Sequence, residues 1–321
     1  MIEPFQKSGA NVVALSDSNR KRLALLSAMV PKASTYTDYR ELLTDIAVDA
    51  VYIATPPPTH FEIARDCLSA GKHVFVEKPL ATNASDAKIL LALSKKNQRV
   101  LMVGHSMVFN NALRLARDLI EQGEIGDLRL ISFVMTNPID IWAGKRIDSY
   151  SSIIWDLGPH AVSAVRFLAG ANPTIATTTL VSSAITQEGM IRDVVQFKLE
   201  FAGGFLGLCD LKWFDFIRNR GVTVTGTSGI LGCGDPTVRN DTSITTRKFK
   251  LSDKKIELSS DATRKVYVGD TLENECEHFV ESVLTGAKPL ASAQDGCDVV
   301  AILSAITDSI TSGKPERVVY R

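Results

Sequence analysis

The chain has 321 residues, 36 basic and 36 acidic, so it carries no net charge at neutral pH. That balance gives no long-range field to attract nucleic acid or an anionic membrane, and no apolar run approaches the ~20 residues that span a bilayer. The length exceeds one typical domain and suits two.

The opening Met1 to Lys7 reads as the tail of a helix, which Gly9 ends. No basic segment leads into an apolar core there, so no signal peptide is read. Asn11 to Leu15 is a strand with Asp17 and Ser18 at its end, and Arg20 to Met29 is a helix. A second strand, Ala50 to Ala54, runs into Thr55-Pro56-Pro57-Pro58-Thr59-His60. Phe61 to Ala70 is helical and stops at Gly71. Next comes a short apolar strand, His73 to Val76, followed by Glu77, Lys78 and Pro79. Proline cannot continue a central ladder, so this strand ends at the sheet's carboxyl edge, where open parallel sheets bind ligands. A helix over Ala84 to Lys96 and a strand over Val100 to Val103, ending at Gly104-His105, complete the pattern. Strands alternating with helices of ten to fifteen residues mean βαβ units and a parallel, Rossmann-like sheet.

After a helix from Asn111 to Gln122 the character changes. Leu128 to Met135 alternates as a strand, and a loop carrying Trp142, Lys145, Arg146 and Tyr150 follows. Pro159 fits the first turn of a helix that starts near Leu157 and ends at Gly170. Alternating runs then occupy Thr177 to Ile185, Asp193 to Phe201, Gly204 to Trp213, Val222 to Gly226 and Ser243 to Lys250. Gly203-Gly204 reads as a tight hairpin turn. These runs predict a large, mostly antiparallel sheet with helices on one face. Helices over Leu272 to Leu284 and Asp295 to Thr311 close the chain. The expected domains are 1–108, Rossmann-like, and 109–321, for substrate binding and oligomer contacts, with the last helices packing back on the first. Cys67, Cys209, Cys233, Cys276 and Cys297 are scattered without zinc or redox spacing, as suits reduced thiols in a cytoplasmic protein.

The segment His73 to Pro79 closely resembles the Glu-Lys-Pro signature of the Gfo/Idh/MocA oxidoreductases, which move hydride between a nicotinamide cofactor and a sugar or cyclitol. Further matches follow the family's order: the acidic strand end at Asp17, Thr55-Pro56-Pro57, Gly104-His105, Asp156-x-x-x-His160, and Glu275-x-x-His278-Phe279 followed by Asp295-Gly296. Ile154 to His160 looks most like the branch acting on nucleotide-linked amino sugars. The family's fold opens with a strand and a glycine-rich turn that holds the pyrophosphate. No Gly-x-Gly-x-x-Gly occurs in this chain. The first visible strand corresponds to the family's second, which predicts a gap in the sheet and weak binding of NAD. A start ~15–20 residues late, one strand plus one turn, accounts for this; a true loss of the strand is the alternative.

The resemblance implies catalytic roles for Lys78, Asp156 and His160. Lys78 can bond a substrate hydroxyl and favour its alkoxide; otherwise it is an exposed lysine after a strand. Histidine titrates near neutrality and suits proton exchange, with Asp156 orienting the substrate hydroxyl or the imidazole. The plainer reading is an N-cap aspartate and a surface histidine. Cofactor contacts fall on Asp17, Ser18, Thr55, Pro56, Pro57, His60, Glu77, Lys78 and His105. Asp17 can accept both adenosine ribose hydroxyls and repel a 2′-phosphate, favouring NAD, while Arg20 and Arg22 leave NADP open; otherwise it caps the next helix. Thr59 then caps its helix and His60 is solvated, and His278 reads as structural.

The expectation is an NAD(P)-dependent oxidoreductase acting on a secondary hydroxyl or ketone of a sugar, nucleotide-sugar or cyclitol, without a metal, and assembled as a homodimer or homotetramer. The alternative is a non-catalytic sugar-sensing or regulatory protein that kept the fold and lost cofactor binding.

Overall fold

The computed structural model describes residues 1–138, 152–186, 189–215, 217–235, 241–252, 255–267 and 269–320. They form two compact units, Met1–Gly104 with Leu272–Cys297, and His105–Thr271 with Asp298–Arg321.

In the first unit, four residues of β4 (His73–Val76) sit between β3 (Ala50–Ile53) and β5 (Leu101–Val103), all parallel. Val74, Phe75 and Val76 are buried, as an apolar run in a sheet covered on both faces requires. Helix α4 (His60–Ser69) packs on β3 and β4, and helix α5 (Ala84–Lys96) packs on α4, the second capped by Asn83, whose side chain accepts from the Asp86 N–H. The register pairs Ile53 with Val76 and Val76 with Val103, so the three strands end level. The residues that follow them therefore leave from one edge. A separate parallel pair, β1 (Ala14–Ser16) and β2 (Ser34–Tyr36), carries Asp17 at its own carboxyl end. Among the described residues no strand bridges β1 and β3. Val12, Val13, Leu15, Val51 and Tyr52 accordingly remain only half-buried. Phe5, on α1 (Ile2–Lys7), packs edge-on against Tyr52 and Phe75, at 5.5 and 6.0 Å between ring centroids, and against Phe279 of α9 (Thr271–Thr285) at 6.3 Å.

The second unit is a nine-stranded sheet in the order β13-β12-β11-β10-β6-β9-β8-β7-β14. In chain order its strands are β6 (Leu128–Pro138), β7 (Pro173–Thr186), β8 (Gly189–Phe201), β9 (Leu206–Asp215), β10 (Arg220–Gly226), β11 (Gly229–Cys233), β12 (Asp241–Ser252), β13 (Lys255–Tyr267) and β14 (Glu316–Arg317). Among the described residues, only β6 and β9 run parallel in this sheet, and its other pairings are antiparallel. Alternation decides which side chains enter the core. In β9, Gly207, Cys209, Leu211 and Trp213 are buried while Leu208 points out, 40% exposed. Helices α6 (Asn111–Glu121) and α8 (Gly158–Ala169), with the latter part of α10 (Ala293–Ser312), supply the facing apolar residues. The Phe201–Phe205 turn is tight, as expected: the Gly204 N–H donates to Phe201 O at 2.9 Å with φ +79°, which glycine adopts freely.

Several elements escape the sequence reading. The strands β2 and β14 and helix α3 (Tyr39–Leu43) are too short for a periodic signal. Two glycines dilute β11 (Gly-Ile-Leu-Gly-Cys). β13 is exposed along nearly its whole length, so no buried face imposes alternation on it. The helix expected from near Leu157 to Gly170 is α8, whereas the four-residue α7 (Ile153–Asp156) just before it is too short for a periodic signal.

Candidate active site

Because β3, β4 and β5 end in register, the Thr55 turn, the Glu77-Lys78-Pro79 segment and Gly104 emerge side by side. Tyr52, the third residue of β3, donates its hydroxyl to Glu77 Oε1 at 2.5 Å. A Cβ on Gly104 would lie 2.9 Å from Glu77 Oε2 and 3.3 Å from its Cα, so glycine there is what lets β5 end against the Glu77 carboxylate. Lys78 follows on the same edge, half-buried. Thr55 and Pro56 are exposed and Pro57 half-buried, in a turn where the Thr59 hydroxyl lies 2.8 Å from Pro56 O and 2.7 Å from Thr55 Oγ1. Thr59 makes no side-chain cap of α4, contrary to the expectation.

His60 corrects the sequence reading more sharply. Rather than solvated, it is fully buried, with Nδ1 2.8 Å from Pro79 O and Nε2 2.8 Å from Thr55 O. It ties the Thr55 turn to the end of the Glu-Lys-Pro segment. The sequence hid this because the first residue of a helix usually faces water, whereas this one faces the end of β4. His105, directly after Gly104, is also buried, at 2% exposure. His278 is structural, its Nε2 accepting from the Leu290 N–H at 2.9 Å.

At the end of β1, Asp17 is bound by Arg22: Nη2 donates to Oδ1 at 3.0 Å and Nε to Oδ2. The Asn19 N–H donates to Oδ1 at 2.8 Å. Arg22's hydrogen bonding holds the Asp17 carboxyl below the usual carboxylate range, against the opposing effect of burial. Asn19, not Asp17, caps the following helix α2 (Arg20–Met29), accepting from the Lys21 and Arg22 N–H groups. Ser18 is exposed beside it. For a nicotinamide dinucleotide, these residues offer an acidic strand end for a ribose and a carboxyl edge for the ring. No glycine turn at a helix N-terminus lies among the described residues to take the pyrophosphate.

In the second unit, Asp156 closes α7 and His160 sits in the first turn of α8, both half-buried. The break at Leu157 means the pair is not carried on one continuous helix. Asp156 does not cap α8; its Oδ2 accepts from Trp213 Nε1 at 3.0 Å, from a fully buried indole on β9. Arg220, at the start of β10, donates to Asn137 Oδ1. Burial first, then Arg218, pulls its pKa down, opposed by Asp235 and Asp156. A Cβ on Gly158 would lie 2.7 Å from Leu303 Cδ2, so the glycine seats the start of α8 on α10. Sequence reasoning missed Tyr52, Trp213, Arg220 and Glu275 as members of these clusters. For Trp213 the one available signal was its place at a buried position of an alternating strand. Trp142, Lys145, Arg146 and Tyr150 lie outside the described residues. No metal-holding group of three or more histidine, cysteine or acidic side chains occurs among the described residues, and none of their helices is long and apolar enough to cross a membrane.

Residues 1–105 match the family described as "Oxidoreductase family, NAD-binding Rossmann fold", and residues 113–232 match the "GFO/IDH/MocA C-terminal domain". The chain is 27% identical over 312 residues to a D-xylose 1-dehydrogenase [NADP(+)] of Haloarcula marismortui, covering 92% of this chain and 83% of that one. It is 26% identical over 299 residues to a myo-inositol 2-dehydrogenase of Thermotoga maritima, covering 89% and 85%. The crystal structure of an NAD binding oxidoreductase from Klebsiella pneumoniae superposes with a TM-score of 0.85 at 21% identity, over 99% of this chain and 95% of that one. With the Glu-Lys-Pro segment at the carboxyl edge of a parallel sheet and both family models matched in order, the chain belongs to the Gfo/Idh/MocA family of NAD-binding oxidoreductases.

Proposed function

We propose that the protein oxidises a secondary alcohol of a sugar or cyclitol, or reduces the corresponding ketone, with nucleotide-linked sugars within the class. The observation that carries this reading is the level ending of β3, β4 and β5, which delivers Lys78, Glu77 and the Thr55 turn to one ligand-binding edge. The xylose and inositol dehydrogenases among its relatives support the substrate class and offer nothing to the reading as a non-catalytic sensor. When bound, the nicotinamide supplies the hydride acceptor or donor.

Lys78 bonds the substrate oxygen and stabilises alkoxide character as the C–H bond weakens. His160 takes the hydroxyl proton on a ring nitrogen, or returns it in the reverse direction. Asp156, held by Trp213, orients the sugar hydroxyls. Asp17 and Ser18 at the β1 end, and Thr55, Pro56, Pro57 and Glu77 at the β3–β4 edge, are the contacts proposed for the cofactor. The face of the large sheet away from α6 and α8 carries outward side chains such as Leu208 and Ile230, and it is the surface proposed for homo-oligomer contacts.

Lys78→Ala tests the catalytic assignment. Turnover should fall on the order of 10²-fold or more, as loss of an oxyanion-stabilising group does, with NAD affinity nearly intact. Unchanged turnover would remove Lys78 from the mechanism.

A further inference from the structure

Behind the Glu77 carboxylate lies a second carboxyl that the reaction as described does not use. Glu275, in the second turn of α9, is 1% exposed, and its Oε1 meets no hydrogen-bond partner. Phe279, four residues on and one turn along the same face, packs on Phe75 at 5.4 Å between ring centroids. Cys276, beside it, is fully buried. The titratable groups that face it are Glu77, after β4, and the Tyr52 phenol on β3.

Two carboxylates cannot both hold their charge in such a place. Coulomb repulsion disfavours the doubly ionised state, and desolvation penalises whichever charge is more deeply buried. Glu77 is the better-supported anion. It is only half-buried, it accepts the Tyr52 hydroxyl at 2.5 Å, and it lies against the open Cα of Gly104. Burial, and after it the facing Glu77 and Glu275 carboxyls, push the Tyr52 phenol up, so it remains a donor. Glu275 has none of these supports.

We propose that Glu275 is a positioning residue: a carboxylic acid that keeps its proton at neutral pH and thereby leaves Glu77, clamped by Tyr52, as the single fixed anion beside Lys78. Burial, then Glu77, raises the Glu275 carboxyl well above the usual glutamate range, in keeping with this assignment. That leaves one negative charge at the end of β4, on the residue next to Lys78, where two would repel each other. The inference rests on reading the Glu77–Lys78 edge as the catalytic edge, but its test needs no turnover.

Infrared difference spectroscopy of the whole chain, with glutamate carboxyls ¹³C-labelled, reads the protonated carboxyl directly. At neutral pH the wild type should show the carbonyl stretch of a protonated glutamate, and Glu275→Gln should lose it. Absence of the band from the wild type, or its persistence in Glu275→Gln, would overturn the proposal. In Glu77→Gln the band should survive to a lower pH than in the wild type, because burial remains while the like charge is gone. A band with the same pH dependence in both would show that the carboxyls are not coupled. Failure of these spectra refutes the Glu275 assignment alone. Loss of the catalytic reading would show separately, as a Lys78→Ala variant with unchanged turnover.

Discussion

Trp213→Phe probes how Asp156 is held. The substitution deletes the Nε1 donor that lies 3.0 Å from Asp156 Oδ2 and keeps an aromatic ring in a fully buried position. A hydrogen bond to a charged group contributes ~1.5–3 kcal/mol, and the smaller ring leaves a packing defect of about 1 kcal/mol. The sum is roughly 2–4 kcal/mol. For a unit of this size that corresponds to a melting temperature lower by about 5–15 °C. If Asp156 orients the substrate, its release should also reduce turnover by roughly 10²-fold, the scale of a misplaced catalytic group. Thermal unfolding and steady-state turnover, measured on the same preparation, separate the two effects. A variant that melts lower but turns over normally would make the Trp213–Asp156 bond purely structural. A variant unchanged in both would refute the geometry itself.

If the Asp17 carboxylate meets the adenosine ribose as proposed, Asp17→Ala should narrow any preference for NAD over NADP, and Arg22→Ala, which frees the Asp17 charge, should widen it. Tighter NADP binding by the Arg22→Ala protein would show that the carboxylate does not face the ribose. Stability against pH gives a further check on Glu275. Its folded-state pKa is raised, so the folded protein retains a proton that the unfolded chain releases above the ordinary glutamate value of 4.5. The stability it confers is complete below that value and declines as pH rises towards the folded-state pKa. Glu275→Gln should flatten that decline in urea midpoints measured across the window, and an unchanged slope would count against it.

How much of this was legible in the sequence follows from which interactions are local. The apolar run Val74-Phe75-Val76, ended by Glu77-Lys78-Pro79, announces a buried strand and its carboxyl edge from adjacent residues alone. The β9 alternation likewise predicts its buried face. What the sequence concealed are contacts between residues far apart in the chain. Trp213 reaches Asp156 across 57 positions, and His60 reaches Pro79 across 19. Nothing in the spacing of either pair marks the partner. The short helix α7, just before Leu157, is also hidden, because four residues carry no periodic signal. In the sequence Glu275 stands out only as part of a Glu-x-x-His-Phe pattern. Its burial beside Glu77 depends on where α9 lies against the end of β4, which no local pattern encodes.

The reaction proposed is hydride transfer between a sugar or cyclitol carbon and nicotinamide C4. Its most direct test is to incubate the protein with millimolar NAD and a panel of pentoses, hexoses, inositols and nucleotide-linked sugars deuterated at the secondary carbinol positions. Reduced cofactor carrying deuterium at C4 is expected with at least one member of the panel, and none with Lys78→Ala under the same conditions. Transfer that persists undiminished in Lys78→Ala, or the absence of any deuterium transfer across the panel, would contradict it.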